Sequence, residues 1–168
     1  MQLICCTKKL LKELDADPTD NVEPISSLLG RWHANLINIE RRKCVLITND
    51  STLFTMFIPF LRKPDFRKFH YIFTEHLFKN LLNEGFSQRQ IEAVLNEHEQ
   101  ILFSKTKSRS VLGSMNEQKI QLEWEIRFNG GLKAAPLYEL NKKLNRNLLS
   151  AIGLKYPVEV LQERLKTI

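Results

Sequence analysis

The residues of this chain best suited to acid–base chemistry are a histidine and a carboxylate placed at the two ends of one strand–turn–strand unit. His33 opens a β-rich run that carries Ile37 and Ile39. Asp50 closes a second run, Cys44-Val45-Leu46-Ile47-Thr48. The charged stretch Glu40-Arg41-Arg42-Lys43 lies between them, and the pattern predicts an antiparallel hairpin. A turn of two or four residues within that stretch sets Ile39 opposite Cys44, Ile37 opposite Leu46, Asn35 opposite Thr48 and His33 opposite Asp50. All eight share one face, because strand side chains alternate with period two. One end of that face is apolar; the other gathers His33, Asn35, Thr48 and Asp50. A carboxylate against an imidazole fixes the ring's tautomer and is half of a base-and-orienter pair. An ordinary cross-strand pair closing a hairpin has the same signature, and no nucleophile is placed beside it. A three-residue turn would shift the register and dissolve the cluster.

The same register weighs against a thiol site. Cys44, opposite Ile39, lies six residues along the strand from His33, roughly 20 Å at ~3.3 Å per residue, so Asn35 cannot orient a Cys44–His33 pair. Cys5 and Cys6 remain candidate nucleophiles, although a thiol in a short apolar strand is ordinarily core.

A second constellation is Lys105-Thr106-Lys107-Ser108-Arg109-Ser110, at the expected start of a helix. Free amides, the positive end of the helix dipole, hydroxyls and cations converge there. Lys105, Arg109 and Ser110 are therefore candidate anion-binding residues, against the plainer reading of a capped, solvated basic turn. The stretch lacks the glycine pattern of a nucleotide-binding P-loop. Arg41, Arg42 and Lys43, with Arg62-Lys63 and Arg67-Lys68, offer further cations for nucleic-acid phosphates, though a charged turn tip is ordinarily just solvated. Trp32, Phe54 and Phe57 offer base-stacking faces, and aromatics in amphipathic strands are ordinarily core. The four histidines form no HExxH, no i,i+4 pair and no CxxC partnership, so neither a metal nor a cofactor is expected.

These residues must be held by elements legible along the chain. Residues 1–6 read as a short apolar strand, and Thr7 caps a short helix from Lys8 to Leu14. Asp15 to Ser27, with Pro18 and Pro24, is the linker-like stretch. After the hairpin, Leu53 to Ile58 reads as a third strand closed by Pro59. Pro64-Asp65 opens a helix with Phe66, Phe69, Phe73, Leu77 and Leu81 on one face, ending at Gly85. Ser87 and Gln90 form a capping box for the next helix, whose face carries Ile91, Val94, Leu95, His98 and Leu102. Ile101-Leu102-Phe103 alternatively begins another strand.

Residues 110–128 are two-sided. Ile120, Leu122, Trp124, Ile126 and Phe128 alternate as in a strand, while the serine caps, the polar residue types and the Gly130-Gly131 stop favour a helix. On a helix, Val111, Met115, Leu122 and Ile126 form one stripe, with Ile120, Trp124 and Phe128 opposite. Such a helix is expected to be central and buried. Two further helices follow, around Leu137–Ala151 and Val158–Leu165, separated by Tyr156-Pro157.

Composition bounds the class. With 43% hydrophobic and 26% charged residues over 168, the chain can bury a sizeable core without a metal or disulfide staple. Three cysteines, two of them adjacent, make a poor disulfide framework and point to a reducing compartment. The opening Met1-Gln2-Leu3-Ile4-Cys5-Cys6 has its lysines after the apolar stretch, the wrong order for a secretory signal, and no run reaches the length of a bilayer span. A cytoplasmic location and no membrane partner are expected. The net charge of +6 is dispersed: residues 1–60 carry seven basic and seven acidic side chains, and 61–110 and 111–168 each carry nine and six. That permits a polyanionic partner without requiring one.

Several stretches together carry a resemblance. Cys6-Thr7-Lys8-Lys9-Leu10-Leu11, Trp32-His33-Ala34-Asn35, Arg41-Arg42-Lys43-Cys44 and Arg109-Ser110-Val111-Leu112-Gly113-Ser114-Met115-Asn116 occur in that order, followed by Gly130-Gly131-Leu132 and Lys155-Tyr156-Pro157. With these the chain resembles a prokaryotic family of small proteins catalogued only as a domain of unknown function. The resemblance covers nearly the whole chain and implies one domain but no activity.

The expectation is therefore a single α+β domain over 1–168: residues 1–60 mainly strands with one short helix, 64–168 mainly helices. A small, mostly antiparallel sheet of four or five strands packs with four to six helices. The leading functional expectation is a non-catalytic binding or regulatory protein for an anionic partner, nucleic acid or a phosphorylated ligand. The alternatives are a small hydrolase or transferase with His33 as general base and Asp50 as its orienter, and a protein–protein interaction module.

Overall fold

The computed structural model describes residues 1–19 and 26–168; residues 20–25 of the expected linker lie outside the described residues. One sheet organises the chain, built from β1 (Gln2–Cys6), β2 (Trp32–Ile39), β3 (Arg42–Asn49), β4 (Thr55–Leu61) and β5 (Ile101–Lys105), in the order β4-β3-β2-β1-β5. β2, β3 and β4 form an antiparallel meander, while β1 pairs parallel with both β2 and β5. The sheet is thus mixed rather than mostly antiparallel. Its parallel half depends on pairings across more than 20 residues, which strand periodicity does not encode. The described residues also form seven α-helices, not four to six, and one 3-10 turn, Ser150–Ile152.

Strand alternation gives the sheet two buried faces. Ile4, Cys6, Trp32, Ala34, Val45, Ile47, Met56 and Ile58 form one core with helices α1 (Lys8–Leu14), α2 (Lys63–Arg67), α3 (Phe69–Asn83), α4 (Gln88–Asn96) and α7 (Pro157–Arg164). Ile37, Ile39, Cys44, Leu46 and Phe57 form the other, against α5 (Arg109–Phe128) and α6 (Leu137–Leu144). The phenylalanine stripe is buried as expected, but a break at Lys68 divides its helix into α2 and α3. The α4 capping box forms, and the chain beyond Asn96 turns into β5 instead of extending the helix.

The hairpin turn falls one residue earlier in the chain than the expected register places it. Glu40 and Arg41, both at positive φ (49° and 62°), make a two-residue turn of the kind that matches strand twist. Ile39 therefore faces Arg42, Ile37 faces Cys44, Asn35 faces Leu46 and His33 faces Thr48. The shift is two residues, so every side chain keeps its face. Glu40 is anchored: its Oε1 accepts from Leu132 N at 3.0 Å, and a Cβ at Gly131 (φ 112°) would approach that oxygen to 3.0 Å.

Pro59 does not end β4, because β4 is an edge strand and can spare an amide. The ladder steps from Lys43↔Leu61 to Val45↔Ile58, a bulge that carries Pro59 and Phe60. The rest of that edge is covered by two asparagines one turn apart, Asn141 in α6 and Asn145 at its C-terminal cap. Phe57 N donates to Asn141 Oδ1 at 2.7 Å, Thr55 N donates to Asn145 Oδ1 at 2.7 Å, and Asn145 Nδ2 donates to Thr55 O at 2.8 Å. Thr19 N donates to Phe103 O at 2.9 Å on the β5 edge. Both edges thus lose backbone groups that would template another strand.

Candidate functional site

The tight hairpin and the parallel β1 together set one polar row across all five strands. Ser104, Cys5, His33, Thr48 and Thr55 are successive partners on β5, β1, β2, β3 and β4, and every one is fully buried. The row lies on the face that α5 covers. Thr48 and Thr55 share a hydroxyl hydrogen bond of 2.8 Å, and Gln118 of α5 takes the Thr55 hydroxyl on Oε1 at 2.8 Å. Gln118 Nε2 donates to Leu53 O at 3.3 Å. Ser104 Oγ donates to Cys5 Sγ at 3.3 Å.

His33 is the centre of the row. Its Nδ1 lies 2.5 Å from Asp50 Oδ1, while its Nε2 accepts from the amides of Lys107 at 3.1 Å and Ser108 at 3.3 Å. Two N–H donors on Nε2 require a lone pair there, so the ring proton sits on Nδ1 and points at Asp50. Asp50 is held in turn by Arg31, whose Nε lies 3.6 Å from Oδ2. The imidazole thus bridges the mouth of the hairpin to the segment that begins α5. Ser108 caps α5 by accepting from Val111 N at 3.2 Å.

His33 and Asp50 are brought together as expected, although Thr48, not Asp50, is the residue opposite His33. Asn35 leaves the cluster: its Oδ1 accepts from Thr7 Oγ1 at 3.1 Å, at the start of α1. Lys105, Arg109 and Ser110 are exposed, beside the His33 end of the sheet. Several donors of their turn are already committed, the Lys107 and Ser108 amides to His33 and the Val111 amide to Ser108. Arg41, Arg42 and Lys43 lie elsewhere. Lys105 is level with Cys6 and Ala34, and Arg41 follows Ala34 by seven residues, about 23 Å at ~3.3 Å per residue. Ser104, Thr55 and Gln118 were not anticipated, and Cys5 was considered only as a nucleophile; the parallel register brings Cys5 and Ser104 beside His33, the β3–β4 pairing brings Thr55, and the packing of α5 brings Gln118.

The thiols are poor nucleophiles. Burial pushes Cys5, Cys6 and Cys44 up from the ordinary thiol range, with the Ser104 hydrogen bond only partly opposing this at Cys5. Cys44, opposite Ile37, is four residues from the His33 level. No cluster of three or more metal-ligating side chains occurs among the described residues.

The far end of the sheet concentrates positive charge. Lys43 pairs with Leu61, so the hairpin tip adjoins the exit of β4, where Arg62, Lys63, Arg67 and Lys68 are all exposed around α2. α1 packs on β2 and on α2; its last turn reaches the hairpin through the Glu13–Lys43 pair and carries exposed Lys12, while exposed Lys8 and Lys9 follow Cys6 at its other end. Four carboxylates lie at this end as well: Glu13 pairs with Lys43 at 2.6 Å, Asp65 accepts from Arg62 N at 2.6 Å, Glu40 is turned to Leu132, and Asp15 is exposed at the end of α1. Arg41 and Arg42 project from the tip, both exposed.

No described helix is long and apolar enough to cross a membrane. No curated protein and no solved structure matches the chain. The polar row from Cys5 to Gln118, the hairpin tip and the asparagines that close β4 all fall within the residues, 3–160, that match one family model, and the chain belongs to that family, described as a domain of unknown function (DUF6933).

Proposed function

We propose that this protein is a non-catalytic nucleic-acid-binding protein, and that it contacts the phosphate backbone through the basic end of its sheet. The observation that carries the reading is the convergence of exposed cations from three segments distant in sequence: the hairpin tip (Arg41, Arg42), the last turn of α1 (Lys12) and the α2 region (Arg62, Lys63, Arg67, Lys68). Basic side chains at that end outnumber the carboxylates Glu13, Asp15, Glu40 and Asp65, which leaves its field positive. A single phosphate needs only a few convergent donors, whereas cations spread over three elements suit a repeating polyanion.

The alternative, a hydrolase or transferase with His33 as general base, is weakened by the ring itself. His33 is fully buried, and the lone pair a base would use already accepts two backbone N–H groups. Lys105, Arg109 and Ser110 stand apart from the basic end and serve as internal controls.

Fluorescence anisotropy with labelled single- and double-stranded DNA and RNA tests the reading. Binding that falls at least tenfold in Arg41→Glu/Arg67→Glu but not in Arg109→Ala supports it. Absence of binding to any of these probes, or equal binding by all three proteins, sinks it.

A further inference from the structure

The face of α5 turned away from the sheet is apolar and open. Ile120, Trp124 and Phe128, spaced i, i+4, i+8, are 60%, 70% and 86% exposed, while Val111, Met115, Leu122 and Ile126 on the opposite side are buried. The helix is therefore a surface helix with apolar residues on both sides, not the central one that its sequence suggests. Three side chains of this size, at these exposures, present roughly 450 Å² of apolar surface. That is as large as the biggest patch an ordinary monomer leaves open, and about half of what one partner contributes to a standard interface.

The charges of the helix point to its occupant. Lys119 pairs with Glu123 at 3.8 Å, and Glu125 pairs with Lys143 at 2.7 Å. Glu117 and Arg127 are exposed and have no ion-pair partner within the chain among the described residues. Each lies five residues from Leu122, one on either side. If two α5 helices cross antiparallel about a two-fold axis at the level of Leu122, Ile120 meets Trp124 of the second copy, and Glu117 meets its Arg127, twice over. A two-fold interface must be self-complementary, and about Leu122 the charges of this helix and its Ile120 and Trp124 positions are.

We propose that the protein associates as a two-fold dimer through α5, with Ile120 and Trp124 at its centre and reciprocal Glu117–Arg127 pairs at its rim.

Sedimentation equilibrium from low to high micromolar protein tests this. The wild type is expected to dimerise with rising concentration. Trp124→Asp is expected to stay monomeric with unchanged circular dichroism. Glu117→Arg alone should weaken dimerisation roughly tenfold, by replacing two attractive pairs with two repulsive ones, and adding Arg127→Glu should restore it. A wild type that is monomeric throughout, a dimer indifferent to Trp124→Asp, or a double reversal no better than the single one would each overturn the proposal. The first of these results would leave the stripe to a different protein partner.

Discussion

His33 and Asp50 lie 2.5 Å apart without being opposite one another in the hairpin. Thr48 is the cross-strand partner of His33, and Asp50, two residues farther along, reaches back diagonally to the ring. The diagonal is made possible by the backbone of Asp50, whose N–H is fixed to Arg31 O at 2.9 Å, and by Arg31 on its other carboxylate oxygen. The ring's opposite nitrogen collects the Lys107 and Ser108 amides from a segment some 75 residues away. One imidazole therefore joins the hairpin mouth to the start of the longest helix.

Removing that bridge should cost stability. His33→Ala empties a fully buried site and leaves Asp50 and two amides without their partner. A loss on the order of 3 kcal/mol in urea denaturation is expected. An unchanged midpoint would show that the ring is not structural, and would revive the general-base reading.

The β4 edge makes a second, independent prediction. Asn145→Leu strands both backbone groups of Thr55, and Asn145 is fully buried. About 2–4 kcal/mol of stability should be lost, against less than about 0.5 for a surface change such as Asn116→Ala. Equal effects would mean that solvent satisfies that edge.

How far the sequence revealed this arrangement depends on the range of the interactions involved. The hairpin, the phenylalanine stripe, the α4 capping box and the Ser108 cap rest on contacts within a few residues, and all were legible. The His33–Asp50 pair was found through a register two residues out, because a shift of two preserves faces; a shift of one would have lost it. The parallel pairing of β1 with β2 and β5 left no local signature, so Cys5 and Ser104 were not seen as neighbours of His33. Gln118 reads as one more polar residue on a helix until the sheet beneath it is in place. The gathering of α1, α2 and the hairpin tip into one basic end was equally hidden, since the charges of each segment look ordinary alone.

His98 should give the fold a pH dependence. Its ring is buried against Phe73, with Nδ1 donating to Val94 O at 2.7 Å, and burial pushes it from 6.5 down to about 4 despite that bond. The unfolded chain then binds the proton more readily than the native one, so stability is full above about pH 6.5 and falls as the pH drops towards 4. The whole span is worth on the order of 3 kcal/mol. Denaturation midpoints between pH 7 and 4.5 should decline in the wild type and decline clearly less in His98→Leu. Parallel profiles would place the acid sensitivity elsewhere.

The salt dependence of nucleic-acid affinity addresses the central claim most directly. Contact through the basic end predicts that log K falls linearly with log salt, with a slope corresponding to several neutralised phosphates. Single changes Arg41→Ala and Arg67→Ala should each reduce that slope by about one, and Arg109→Ala should leave it unchanged. A slope near zero, or one that responds to Arg109 and not to Arg41 or Arg67, would contradict the account.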